Sequence, residues 1–397
     1  MINIRKISFL ILLLVTLFSA NATENIDSLS LTPQQQKSLL RQQHRDSVRA
    51  NKKVWTSVLG GPSYTPEASV GVAGALLMSF KTNPLDTISQ RSFFPLGFNV
   101  SINGTFVFAG MGALFFNENK FRIYSNYGYR NEPANFYGIG FDEIDDTERG
   151  EETEYHKSSI QFYNRFIWEV KPNFYLGPLL DINYSRSTDM SEKMADNAYI
   201  AAMKSRYTNI GIGGVIQYDT RDDVATPNSG MLLSGVAKIY GKYFGGSYNY
   251  QYFDLEYRQF KPLFKRAILA WTARTQISHG DVPFTELPSF GSPFDLRGFY
   301  WGQFRDKSMG YTIAEYRQMF GTQEAYEMGR TITKFGYVVW GGAGTLGNTP
   351  ADWNELRYNV GVGLRAQIQP RKNFRLDIGK GIGEDGVLVY FNMTEAF

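Results

Sequence analysis

Arg297 stands in an apolar and aromatic run, Phe290-Gly-Ser-Pro-Phe-Asp-Leu-Arg-Gly-Phe-Tyr-Trp301, and is the only cation in it. A guanidinium among phenylalanines is tolerable only where carboxylates or carbonyls satisfy its donors, so this segment is expected to fold into a polar interior. Other reactive residue types are sparse. The three histidines, His44, His156 and His279, accompany no nucleophile motif, and neither Gly-x-Ser-x-Gly nor His-Glu-x-x-His occurs. Cysteine is absent, which removes disulfides, thiol catalysis and Cys-based metal sites. The acidic stretch Asp142-Glu-Ile-Asp-Asp-Thr-Glu148, with Glu151 and Glu152, has the ligand type for a divalent cation but reads better as a solvated loop. The expectation is a non-enzyme with no metal and no cofactor, whose chemistry is that of buried ion pairs.

Such pairs need strands to position them. After the extreme N-terminus no apolar run approaches the roughly 20 residues a spanning helix requires, so a membrane role falls to alternating strands. In Tyr358 to Ile368 the even positions are Tyr, Val, Val, Leu, Ala and Ile, while the odd ones are Asn, Gly, Gly, Arg and Gln. One face suits lipid and the other a wet lumen. The same division appears in Phe374 to Ile378 and in Phe253 to Arg258, where every charge falls on one parity. Sixteen such runs follow one another from 53–61 to 386–397 with no helical layer between them. The fold class expected is all-β, a 16-stranded antiparallel transmembrane β-barrel. An even count puts both ends of the barrel on one side, with short turns such as Asn117-Glu-Asn-Lys120, Lys171-Pro-Asn173 and Gln369-Pro-Arg-Lys-Asn373 there, and longer loops near 131–153, 188–204 and 280–308 opposite. Gly60, Gly61 and Pro62 are expected to close the first strand. Glu256-Tyr-Arg-Gln259 recurs as Glu315-Tyr-Arg-Gln318, read as lumenal charge pairs.

Ahead of the barrel, Arg5 and Lys6 precede the apolar run Ile7 to Phe18 and the small residues Ala20-Asn21-Ala22, the pattern of a secretory signal peptide over 1–22. Residues 23–51 are polar and read equally as a linker or as a short periplasmic helix capped by Thr32 with Pro33 at its first position. The barrel then takes 52–397. A net charge of +3, dispersed along the chain, gives no argument for nucleic acid.

Leu296-Arg297-Gly298-Phe299 resembles the inward-folded sixth-loop motif of the BamA/TamA (bacterial surface antigen) family of outer-membrane insertases and translocases. Asp219-Thr220-Arg221-Asp222 is similar to the turn that joins the eighth and ninth strands in that family, and it falls at that junction in the count above. Asp219 and Arg221 share a parity and are expected to pair, and the segment reads as a stable turn closed by Pro227 and Gly230. At the chain's end, Val387, Val389, Phe391, Met393 and Phe397 are expected to form one lipid-facing apolar row. Phe391, Met393 and Phe397 there resemble the C-terminal signal by which outer-membrane barrels are recognised for insertion.

The resemblance implies a bacterial outer-membrane protein with the 290–301 loop folded into the lumen and tied to the wall. Relatives usually carry an aspartate on the thirteenth strand, but Trp340-Gly-Gly-Ala-Gly344 has none. Glu315 and Asp377, both of lumenal parity, are the candidate partners of Arg297. The function implied is protein insertion or transport across the outer membrane, here without its own POTRA domains. Expected partners are outer-membrane lipid and lipopolysaccharide, unfolded outer-membrane or secreted proteins, and a separate periplasmic protein. A passive or gated channel for small solutes and a structural envelope barrel are the alternatives.

Overall fold

The structure is a computed structural model that describes residues 54–65, 69–147, 153–327, 330–369 and 371–397. The expectations for 1–22 and 23–51, and those on His44, Glu148, Glu151 and Glu152, lie outside the described residues. Sixteen strands form one antiparallel sheet in strict chain order. They are β1 Val54–Thr65, β2 Ser69–Phe80, β3 Ser92–Ser101, β4 Phe106–Phe116, β5 Phe121–Asn135, β6 Glu154–Lys171, β7 Phe174–Thr188 and β8 Arg206–Asp219. The second half comprises β9 Gly230–Tyr240, β10 Tyr250–Pro262, β11 Ala267–Gly280, β12 Ser308–Met319, β13 Phe335–Gly347, β14 Arg357–Gln369, β15 Lys372–Gly381 and β16 Leu388–Asn392.

The period-two pattern in the sequence becomes two faces of this sheet. On β14, Val360, Val362 and Leu364 are exposed to the surroundings, while Asn359 and Arg365 on either side of them are buried. On β15, Ile378 faces out and Arg375 and Asp377 are wholly buried. Apolar side chains without and charges within are the arrangement of a barrel in lipid, and the chain is a 16-stranded antiparallel β-barrel. At the end carrying the short turns, Phe121 stacks on Trp168 at 4.8 Å and packs beside Phe116 at 5.5 Å, as in an interfacial aromatic girdle. The tight turns there use residues that tolerate positive φ, Asn117 and Asn119 after β4 and Asn173 after β6.

Two of the departures from the strand boundaries read in the sequence bear on the ends of the sheet. β1 runs on through Gly60, Gly61 and Pro62 to Thr65, with Pro62 opposite Val72. Proline is tolerated on a strand that lies at the edge of a sheet, and β1 has a ladder only to β2 among the described residues. The last strand is far shorter than 386–397. It ends at Asn392, and residues 393–397 leave the sheet. β1 and β16 therefore share no ladder among the described residues, and the sheet's two ends meet through a side chain of β14 instead. Gln369 Nε2 donates to Ser57 Oγ of β1 at 2.8 Å and to the Leu77 carbonyl of β2 at 3.3 Å.

Between β11 and β12 the chain descends into the lumen. A two-residue ladder pairs Ser289 with Arg305 and Phe290 with Phe304, and the segment between them carries the arginine motif. Phe290, Leu296, Phe299 and Phe304 form the core of this insert, with Phe299 edge-on to Phe304 at 4.9 Å.

Candidate functional site

Arg297 is completely buried, and both carboxylates expected for it are its partners. Its Nη1 donates to Asp377 Oδ2 at 2.7 Å, and its Nη2 forms an ion pair with Glu315. Its guanidinium lies 3.7 Å from the centre of the Trp340 ring. The β13 position at which no aspartate was found thus supplies an aromatic face, while the second carboxylate comes from β15. Planar stacking and in-plane hydrogen bonding use different parts of the guanidinium, so one group satisfies both.

The backbone around Arg297 is fixed as firmly as the side chain. Asn359 Nδ2 donates to the Arg297 carbonyl at 2.7 Å, the Gly298 N–H donates to Tyr390 Oη at 2.7 Å, and the Gly381 N–H donates to the Gly298 carbonyl at 3.1 Å. Gly298 has φ +114°, and a Cβ there would lie 2.4 Å from the Lys380 carbonyl carbon. Both facts require glycine. Leu296 and Phe299 anchor the motif in the insert's core, so all four motif residues have a structural task.

Around this centre lies a charge network that the sequence only half disclosed. Glu315 also accepts from Arg317 Nε at 2.8 Å, and Asp377 accepts from Arg365 at 2.6 Å and from Arg375 at 2.8 Å. Arg375 in turn donates to the Pro293 carbonyl of the inserted loop at 2.6 Å. The Glu-Tyr-Arg-Gln repeat gives the same local pairing twice, Glu256 with Arg258 at 2.8 Å on β10 and Glu315 with Arg317 on β12.

The chain's end enters the same network, which corrects the reading of its terminal row. Phe391 is exposed on the outer face, but Met393 and Phe397 are buried. Glu395 accepts from Arg365 Nε and from Asn373 Nδ2, both at 2.9 Å, and the Phe397 carbonyl accepts from Arg317 Nη2 at 3.1 Å. The Phe397 ring packs 6.3 Å from that of Phe260. A carboxylate two places from the end has no partner on a lipid face but finds arginine in the lumen, and this draws the tail inside. The signal in the sequence was Glu395 itself, which interrupts the apolar row.

The Asp219 to Asp222 segment likewise does more than reverse the chain. Asp219 pairs with Arg221 at 2.8 Å, as expected, and also with Arg122 of β5 at 2.7 Å. Thr220 Oγ1 accepts from the Met231 N–H at 3.0 Å, and Asp222 Oδ1 accepts from the N–H groups of Asn228 and Ser229 at 2.9 and 3.1 Å. The tip then reaches strands far away in the sheet. Arg371, between β14 and β15, pairs with Asp222 at 2.8 Å, and Gln90, between β2 and β3, accepts from the Val224 N–H at 2.9 Å. Ala225 and Val224 pack with Leu77, Phe93, Phe115 and Met393. The segment spans the short-turn end of the barrel and braces the region where β2, β3, β4 and the departing tail come together.

At the opposite end the acidic stretch is partly a one-turn helix, Phe141–Asp145, whose Asp145 pairs with Arg357 at 2.5 Å. No group of three metal-binding side chains occurs among the described residues. His156 Nε2 lies 3.0 Å from Asn131 Oδ1, an ordinary wall contact.

The model of the Omp85 superfamily domain matches residues 114–397. Among solved structures, the chain is similar to BamA from Haemophilus ducreyi lacking POTRA domains 1–3, with 13% identity, a TM-score of 0.53, and coverage of 85% of this chain and 69% of that one. It is also similar to CdiB from Acinetobacter baumannii, at 11% identity and a TM-score of 0.50, over 83% of this chain and 56% of that one. At these identities the likeness concerns the fold. No curated protein matches.

Proposed function

The chain belongs to the Omp85 superfamily, as a BamA/TamA-like barrel, and from that premise we propose that it resides in the bacterial outer membrane and assists insertion or transport of other proteins there, without catalysing a covalent reaction. The observation that carries this reading is the seam. β1 offers twelve residues, Val54–Thr65, with a ladder on one edge only among the described residues, whereas β16 offers five and its continuation is bound inside the lumen. An unladdered edge in hydrocarbon is costly, so it favours pairing with an incoming strand.

The network around Arg297 supports the same reading from the other side. It ties the inserted loop to β12 and β15 and holds the tail away from β1 through Arg317 and Arg365. Removing a partner from a buried ion pair costs about 3–5 kcal/mol, enough to keep the tail seated while the seam stays unzipped. The inserted loop and the bracing turn occupy opposite ends of the lumen, which weighs against the alternative of an open solute pore.

The test is reconstitution of the chain in liposomes, followed by the folding rate of an unfolded outer-membrane barrel client added from urea. Acceleration over empty vesicles is expected. Equal rates with and without the protein contradict the proposal.

A further inference from the structure

We propose that the lumen holds a binding site for a small neutral polyol, of about the size of one sugar ring, in a chamber walled by β6, β7, β9, β10 and β11 and roofed by residues 285–289 of the inserted loop. The chamber has a volume of about 200 Å³ and an almost wholly polar lining. That is below the 300 Å³ or so at which drug-sized ligand pockets begin, and corresponds to about six or seven waters at roughly 30 Å³ each.

The polar groups divide into those already satisfied and those left over. Asp181 of β7 already has three donors, Lys238 Nζ at 2.9 Å, Tyr240 Oη at 2.6 Å and Asn183 Nδ2 at 3.0 Å. Glu286, on the roof, has only long contacts, with Asn183 Nδ2 at 3.3 Å and with its neighbour Thr285 at 3.4 Å. Tyr250 lines the chamber, is 3% exposed, and its hydroxyl has no hydrogen-bond partner among the described residues. Its ring is stacked on Tyr240 at 4.1 Å, so the hydroxyl is held in position. Gln161 of β6 presents an exposed amide to the same space.

These spare groups select a ligand chemistry. A carboxylate needs a donor, a tyrosine hydroxyl both donates and accepts, and a primary amide offers N–H donors and a carbonyl acceptor. An alcohol hydroxyl meets all three, and several hydroxyls on one small frame meet them together. The Glu286 charge opposes an anion, since the Lys238 ammonium is already paired with Asp181. An organic cation is opposed by the Lys238 ammonium, which already occupies the aromatic faces and one of the two carboxylates, lying 4.4 Å from the Tyr252 ring centre, 5.3 Å from that of Tyr240 and 2.9 Å from Asp181. An apolar ligand would strand the Glu286 charge, and a buried polar atom without a partner is costly.

Saturation-transfer NMR on the full chain in detergent micelles tests the site, with D-glucose and D-galactose as probes and acetate and tetramethylammonium as ionic comparisons. Transfer to at least one sugar is expected, with affinity weakened about tenfold in both Tyr250→Phe and Glu286→Gln, the worth of one hydrogen bond, and unchanged in Tyr243→Phe, whose side chain is 99% exposed. Gel mobility with and without heating identifies a folded barrel in each variant. The proposal is overturned by absence of transfer to both sugars, by equal affinity of the two site variants and the parent, or by preference for acetate or tetramethylammonium. Such a failure leaves the seam and the insertion assay untouched.

Discussion

Arg297 and Asp377 are eighty residues apart in the chain and 2.7 Å apart in the lumen. This pair joins the inserted loop to β15, and the same carboxylate also holds Arg365, which holds Glu395 of the tail. Loop, wall and chain end are therefore one electrostatic unit. A change at any member is felt by the others because all are buried, where a polar group left without its partner is costly.

The first expectation concerns the centre of that unit. Arg297→Ala leaves Glu315 and Asp377 buried with one counter-ion fewer, and should lower stability by about 3–5 kcal/mol. Arg297→Lys should recover only part of this, since an ammonium is a point charge and lacks the planar fork that spans two carboxylates above Trp340. Midpoints of unfolding in urea, on the protein folded in detergent micelles, measure both.

The tail supplies a second expectation through a double-mutant cycle. Arg365→Gln and Glu395→Gln should each destabilise the barrel, and the double variant should lose less than the sum, by about 0.5–3 kcal/mol. Additive losses would place the tail outside the network.

A third concerns acid. Asp86, in the exposed connection between β2 and β3, is held well below the usual carboxylate range, first by the Ser89 hydroxyl and then by the N–H groups of Ser89 and Glu118. A depressed folded value means that its stabilisation is full above the ordinary 3.8 and is lost as pH falls below it. The difference in unfolding midpoint between the parent and Asp86→Asn should thus be constant from pH 7 to 5 and shrink from pH 4 downward.

Much of this architecture was legible in the sequence because period two is a local property. Val360, Val362 and Leu364 outside, Asn359 and Arg365 inside, follow from alternation alone. Arg297 with Glu315 and Asp377 was legible for a similar reason, since parity places a side chain in the lumen and charge then selects its partner. What alternation does not carry is where a strand stops. Phe391 and Phe397 are both aromatic and both odd, yet one faces out and the other lies against Phe260, because Glu395 finds Arg365 and Asn373 inside. The reach of the 220–229 turn to Gln90 and Arg371 was hidden for the same cause, a contact made across the barrel and not along the strand.

The most direct test of the account is to close the seam and measure insertion. The chain has no cysteine, so Ser57→Cys and Gln369→Cys create a unique pair where β1 meets β14, to be bridged by a short reducible bis-thiol crosslinker. Bridged protein in liposomes should fold an unfolded barrel client no faster than empty vesicles do, and reduction should restore the acceleration. A bridged barrel that works as fast as the reduced one would contradict the claim that this edge receives the incoming strand.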